Sequence, residues 1–278
     1  MKKFILNADN FGMTPDYNRA VLNGYNNGFL KSASIVANGE AFDTAINEIL
    51  PECQHLSVGL HINLTEGFPV SQAKLLVDNT GEFNTSFNKL KKLVKRTTYL
   101  KEIEQEMRAQ LEKVLAHTKI YHIDSVDNIH CIPEIFERVC SLAEEFKIPY
   151  VRTTYEEFYV VPALKYLIHP RFLYNLTRVP KFNCFAKQNK IILKRYGLKT
   201  NDYILGSTYE DLMDKNTIEA GLKNLKDEDN ILIEGIIKPC SYLTPTQNSH
   251  EKEFKMTQDR ILEDTIYRMG FEITNYKL

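Results

Sequence analysis

Apolar residues come along this chain in short continuous runs, each closed by a polar group, with stretches of helical periodicity between them. Lys3 to Ala8 is the first run, and it has the pattern of a parallel strand covered on both faces. Asp9 falls at its C-terminal end. Thr14-Pro15 then supplies a helix cap followed by proline at the first helical position. Tyr17, Ala20, Val21 and Tyr25 keep helical spacing until Gly28. Ser32 to Val36 predicts a second strand, Ala41 to Ile49 a helix, and Leu56 to Leu64 a third strand. Short connections in this β-α-β-α-β order imply parallel strands joined by right-handed crossovers.

The alternation continues to the end of the chain. Phe87 to His117 predicts two helices, the second amphipathic through Leu100, Ile103, Met107, Leu111 and Val114. Strands are expected at Tyr121 to Asp124, Pro149 to Arg152, Leu205 to Ser207 and Asn230 to Ile237. Helices are expected at Pro133 to Phe146, Asn216 to Leu225 and Phe254 to Met269. The segment 158–201, with several prolines and tyrosines, reads as a less regular, basic and aromatic-rich insertion. The expected fold is α/β: a single (β/α)-barrel-like domain of parallel strands over residues 1–278. Such barrels build their sites from loops at the C-terminal ends of several strands. Here those ends carry Asp9-Asn10-Phe11-Gly12, Gly59 to Gly67, His122 to His130, and Lys238-Pro239-Cys240.

Composition changes this picture little. With 43% hydrophobic and 26% charged residues the chain has the balance of an ordinary globular protein. A net charge of -1 argues against general nucleic-acid binding, so no nucleic-acid partner is expected. The 5 cysteines are scattered without a C-x-x-C pair, which points to neither a disulfide framework nor a structural zinc, and fits a cytoplasmic protein. Phe4-Ile5-Leu6 is too short for a signal peptide's apolar region, and no run approaches the roughly 20 residues of a membrane span. Local charge is more telling. Between Phe158 and Asn201 lie Lys165, Arg171, Arg178, Lys181, Lys187, Lys190, Lys194, Arg195 and Lys199 without one Asp or Glu. A second cluster runs through Lys89, Lys91, Lys92, Lys95 and Arg96. A solvated face is the bland account of both. The sharper one is peripheral contact with anionic headgroups, since aromatic residues are interleaved with the cations.

The polar groups resemble the YdjC/ChbG-type carbohydrate deacetylases. Asn7 to Gly12 looks like that family's N-A-D-D-F-G, and Ser32-Ala33-Ser34 like its T-S-A-S strand. Gly59 to Gly67 looks like G-L-H-x-N-L-T-E-G, His122 to His130 like its D-S-H-x-H-x-H region, and Val151-Arg152 like its strand ending in Arg. The resemblance covers most of the chain. It implies a (β/α) barrel that removes acetyl from N-acetylated sugars with a divalent metal, Mg or Zn, on a free or carrier-linked glycan. Asp9 then stands as the general base, and Phe11, Asn63, Glu66 and Asp124 as residues around the substrate. His61 matches a metal ligand. Asn10 stands where the family has a ligand Asp, Val126 where it has a ligand His, and Lys238 where it has a His before Pro.

These departures carry a chemical cost. A catalytic divalent ion takes about three protein ligands, and valine has no lone pair. Without the ion to acidify water, a single base contributes only about a hundred- to ten-thousand-fold. Two routes around the loss are open. Asp127 and His130 can rebuild a ligand set with His61 and Asn10, or Lys238 can supply positive charge in the ion's place. Arg152 is expected to pair with Asp9, and Asp124 to orient His61, whereas His122 and His130 read more simply as buried hydrogen-bonded histidines. Two functions remain: a deacetylase with an altered site, or a relative that binds sugar without hydrolysis. A homo-oligomer is compatible with either.

Overall fold

Alternation along the first strand decides what the two faces of the sheet become. In β1 (Lys2–Phe11), Phe4, Leu6 and Ala8 join the main apolar core, while Ile5, Asn7 and Asp9 take the opposite face. The structure is a computed structural model that describes residues 1–278 apart from 226, 228 and 242–247. After β1 come α1 (Pro15–Asn27), β2 (Ser32–Ile35) and α2 (Phe42–Thr44), which continues as a π-helix over Ala45–Ile49 and a 3-10 turn over Leu50–Glu52. Next are β3 (Ser57–Ile62), α3 (Phe87–Leu93), α4 (Thr97–Leu115), β4 (His122–Ser125), α5 (Pro133–Glu145) and β5 (Tyr150–Val151). The chain then runs through α6 (Leu164–Leu167), α7 (Pro170–Tyr196), β6 (Tyr203–Leu205), α8 (Lys215–Asn224) and β7 (Leu232–Ile237). It ends with α9 (Asn248–Met256), α10 (Arg260–Arg268) and β8 (Phe271–Ile273).

The 8-stranded sheet has the order β5-β4-β3-β2-β1-β7-β6, with β8 added beside β1, and every named pair is parallel. β8 takes Lys2–Phe4 and β2 the other end of the same edge, so one strand serves both neighbours. Backbone bonds from Val151 N to Lys199 O (3.0 Å) and Ile204 N to Tyr155 O (2.9 Å) bridge the gap between β5 and β6. The α/β barrel-like class is the observed one.

The inner face is unusually polar for a barrel. Ser32, Ser34, Ser57, His61, His122 and Asp124 join Asn7 and Asp9 there, all buried. They are paired with each other: Ser32 Oγ donates to Asn7 Oδ1 (2.7 Å), Asn7 Nδ2 to Ser34 Oγ (2.7 Å), and Ser34 Oγ to Asp124 Oδ2 (2.5 Å). An apolar plug of Ile5, Tyr150, Leu232 and Tyr276 closes the other end. The driving hydrophobic burial is therefore outside the sheet, against the helices.

Two expectations need correction, and one strand was not anticipated. The segment expected to be irregular contains α7, 27 residues long. Its buried residues Phe172, Asn175, Val179, Phe182, Ala186, Asn189 and Leu193 repeat at three-and-four spacing, but two are asparagines, which hid the stripe. Asn175 donates to Glu210 O (3.0 Å) and Asn189 to Cys131 O (2.8 Å), so both amide nitrogens find backbone partners, while the two Oδ1 atoms have none among the described residues. Pro180 lies on the exposed side, where the carbonyl it leaves unbonded meets water. The closing helix is two helices, because Thr257 docks on the end of α1: Phe29 N donates to Thr257 O at 3.0 Å, and Asp259 caps α10. Finally, β8 carried too short an apolar run to be read as a strand.

Gly59 is required by one close approach. A Cβ there would lie 2.3 Å from the His122 ring, which is stacked on Tyr276 at 4.1 Å between centroids. Gly59→Ala is expected to cost about 1–3 kcal/mol, the range for overpacking, read as a lowered urea midpoint. An unchanged midpoint would mean that the ring is free to move.

Candidate active site

Asp9 and Asn10 are consecutive in a strand, so regular pleating would send them to opposite faces. A register shift between Ala8 and Phe11, with Asn10 at φ 65, turns both toward one pocket. Asparagine tolerates that left-handed backbone better than most residues. Asp127 (φ 53) and Asn128 (φ 55) do the same after β4, and with Val126 they form the facing wall. His61, Glu66, Ser207, Glu210, Asp211, Lys238 and Glu253 supply most of the pocket's remaining polar lining.

Arg152 lies directly beneath. Its Nη1 and Nη2 donate to Asp9 Oδ2 (3.0 Å) and Oδ1 (2.8 Å), and Nε and Nη2 to Glu234 (3.0 and 2.6 Å). Nη2 also stands 2.6 Å from Asp124 Oδ2. Asp124 Oδ1 is 2.7 Å from His61 Nδ1, so this carboxylate accepts a hydrogen bond from Nδ1–H and leaves Nε2 facing Asp9 Oδ2 at 3.9 Å. Burial alone would raise the Asp124 pKa, but Arg152 and His61 outweigh it and hold the carboxyl well below its ordinary range.

Lys238 occupies the wall beside Asp9. Its Nζ donates to Glu210 Oε1 at 2.8 Å and lies 3.8 Å from Asp211 Oδ1. Burial works against its charge, yet Glu210 and Asp211 more than offset this and raise its pKa, so it remains an ammonium. His250 Nε2 is 3.3 Å from Asp211, and its Nδ1 is 3.1 Å from Tyr17 OH. Burial pushes Glu253 up to about 7.

The residues singled out from the sequence thus divide into two groups. Asp9, Asn10, His61, Glu66, Asp127 and Lys238 line the pocket. Phe11 does not: it is fully buried in the core between sheet and helices. Asn63 is spent on its own loop, where its Oδ1 accepts from Thr65 N (3.0 Å) and Glu66 N (3.1 Å). Arg152 and Asp124 lie under the floor. His130 is turned away from the pocket, its Nδ1 2.6 Å from Ser125 Oγ and its Nε2 3.2 Å from Arg152 O. Both nitrogens being engaged, it has no lone pair to offer an ion. Sequence reading missed Ser207, Glu210, Asp211, Glu253, His250, Tyr17 and Glu234. Only Glu234 had a signal, as the one charge inside the apolar run Leu232–Ile237.

Asp9, His61 and Asp124 place donor atoms within 4.8 Å of one another, a grouping of the composition that holds metals. Their donors are already committed, however. Both Asp9 oxygens accept from Arg152, and Asp124 serves His61, Ser34 and Arg152. Of the three, Asp9 and His61 line the pocket and Asp124 lies beneath it, and Val126 is an apolar wall where a ligand histidine was implied. Asp9, His61 and Asp124 would hold an ion only while sharing their oxygens with Arg152, and the further Asp and His ligands implied by the resemblance are replaced by Asn10 and Val126.

Two measurements probe this core. Arg152→Met would leave three carboxylates buried without their cation, and an unfolding free energy lower by about 3–5 kcal/mol is expected from denaturant titration. A loss under about 1 kcal/mol would contradict the central place of the guanidinium. His130 is held neutral, since burial and then the Arg152 charge push its pKa down to about 3 from 6.5. The unfolded state binds the proton first, so the stability that His130 contributes is present above about 6.5 and lost as pH falls toward 3. Stability curves of His130→Gln should be flatter across that window, and parallel curves would refute the assignment.

Residues 3–267 match the family model of YdjC-like proteins. A carbohydrate deacetylase of Clostridium beijerinckii is 36% identical over 161 residues, covering 56% of this chain and 63% of that protein. One of Brevibacillus brevis is 38% identical over 149 residues, covering 53% and 58%. The matches thus span less than two thirds of those relatives' length. A solved structure from Enterococcus faecalis V583, described as a cellobiose-phosphate cleavage protein, superposes with a TM-score of 0.76 at 20% identity. The superposition covers 99% of this chain and 98% of that one, and likeness at this identity establishes a shared fold. Since the family match runs from the second residue of β1 into α10, and so takes in every strand end around the pocket, the chain belongs to the YdjC-like protein family.

Proposed function

We propose that this protein is a carbohydrate deacetylase that hydrolyses the acetamide of an N-acetylated sugar, with the Lys238 ammonium in place of a resident metal ion. One observation carries the reading. β1 and β7 are paired as far as Ala8 opposite Ile237, so Asp9 and Lys238 leave adjacent strand ends into the same pocket. His61 Nε2 and Asp9 Oδ2, 3.9 Å apart, suit a water held between two acceptors. Asp9 takes the proton of that water as its oxygen attacks the acetyl carbon. Lys238 sits where the carbonyl oxygen gains charge. The C–N bond then breaks as the Asp9 carboxyl returns that proton to the departing nitrogen, and acetate and the amino sugar leave. Arg152 fixes the Asp9 carboxylate by two hydrogen bonds, and Asp124 fixes the His61 tautomer. A cytoplasmic location belongs to the same reading, supported by cysteines that form no disulfide among the described residues.

A second reading has support of its own. Val126 and Asn10 remove the ligands on which a metal-assisted rate would rest, which favours a relative that binds the sugar without hydrolysing it.

The test is acetate release from N-acetylated mono- and disaccharides by protein treated with a chelator, then reloaded with zinc or magnesium. Release that survives the chelator is expected, with losses of about a hundred- to ten-thousand-fold in Asp9→Asn and a smaller loss in Lys238→Met. Sugar binding without acetate release would establish the second reading. Activity that appears only with a stoichiometric ion would overturn the role given to Lys238.

A further inference from the structure

Around α6 and α7 the surface carries large apolar side chains that no described residue covers. Phe158, Val160, Leu164, Leu167, Ile168 and Leu173 are each between 36% and 68% exposed. Scattered singly, such residues are ordinary; gathered in one place, they mark a contact surface. Their buried neighbours show that they are gathered. Tyr159, Tyr166 and Phe172 all converge on the Tyr209 ring, at 5.2, 5.8 and 5.1 Å between centroids. In the extended stretch 158–161 exposure alternates, and in α6 the spacing of 164, 167 and 168 marks a single helical face. The outward residues therefore form the lid of one small module built over Tyr209.

Charge extends this patch along α7. Lys187 and Lys194 follow Leu173 at multiples of seven residues, so they prolong its stripe, and Lys190 lies between them. All three are exposed, and none forms an ion pair among the described residues. Tertiary packing adds the second basic cluster. Phe87 of α3 meets Phe182 of α7 at 5.5 Å, Lys181 Nζ lies 5.4 Å from the Phe87 ring, and Lys91 Nζ lies 5.9 Å from Phe185. Two basic segments whose contacting residues lie 94 and 95 positions apart in sequence thus share one surface.

We propose that this surface docks on an anionic lipid bilayer, with the α6–α7 apolar residues entering the headgroup layer and the lysines meeting lipid phosphates. A second copy of the chain is a poorer occupant. Isologous contact would set segment 158–201 against itself, and that segment holds nine cations and no carboxylate to meet them. Docking would act on the pocket through short contacts. Behind the patch, Asn175 donates to Glu210 O (3.0 Å), and Arg171 lies 2.5 Å from Asp211, so α7 holds the wall that engages Lys238.

The experiment is co-sedimentation of the full chain with phosphatidylcholine vesicles, with and without about a third phosphatidylglycerol. Binding is expected only to the anionic vesicles, falling as salt is added. Lys187→Glu with Lys190→Glu should weaken it roughly fivefold or more per position. Leu164→Glu with Ile168→Glu should abolish it, with circular dichroism unchanged because both residues face solvent. Failure to bind anionic vesicles at low salt, equal binding to neutral ones, or undiminished binding by the apolar variant would each overturn the proposal. So would a dimer seen by light scattering that the apolar variant dissolves, since that would assign the patch to a second copy. None of these readouts depends on acetate release, so the docking surface and the deacetylase reading fail separately.

Discussion

A single guanidinium holds the inside of this barrel together. Arg152 meets Asp9, Asp124 and Glu234 within about 3 Å, all four side chains being buried. Removing ions from water is expensive, and attraction offsets that cost only where geometry is good and the remaining donors and acceptors are satisfied. Both conditions are met. The fork of Arg152 reaches two carboxylates bidentately, Tyr276 OH donates to Glu234 at 2.7 Å, and Ser34 and Asn7 take up the remaining lone pairs. Lysine has no such fork and could not span three partners at once.

The pocket inherits its order from this network. Because Arg152 fixes Asp9 and Asp124, the latter fixes His61, and so the one nitrogen facing the pocket is the acceptor. Departures from the family pattern on the pocket wall, Asn10, Val126 and Lys238, leave the layer beneath them intact. Such a framework preserves geometry while its charge is redistributed: the cation on the pocket wall is an ammonium tied to Glu210 and Asp211. The α7 helix, through Asn175, Arg171 and Arg178, then connects that wall to the outer surface.

Much of the strand framework was legible because short, mostly apolar runs closed by polar groups mark strands covered on both faces, even though here one of those faces is polar. Finer alternation was legible too, though less visibly: Asn7 and Asp9, Ser32 and Ser34, His122 and Asp124 each stand two residues apart and share the inner face. Glu234 breaks an apolar run for the same reason. In α7 the helical stripe was masked by Asn175 and Asn189, polar residues that are buried because backbone carbonyls of other segments await them. A pattern reader counts them as exposed.

What the sequence determined by itself was the order of strands and helices, and the residue types gathered at the strand ends, since periodicity and turn chemistry act over a few residues. Only the tertiary structure decided which of those residues share the pocket. A one-residue bulge turned Asn10 beside Asp9, a turn with two left-handed residues sent His130 inward beneath it, and packing drew Phe11 into the core. Glu210, Asp211 and Glu253 came from segments with no local mark. Their position depends on long-range contacts, and those are set by the closure of the whole barrel.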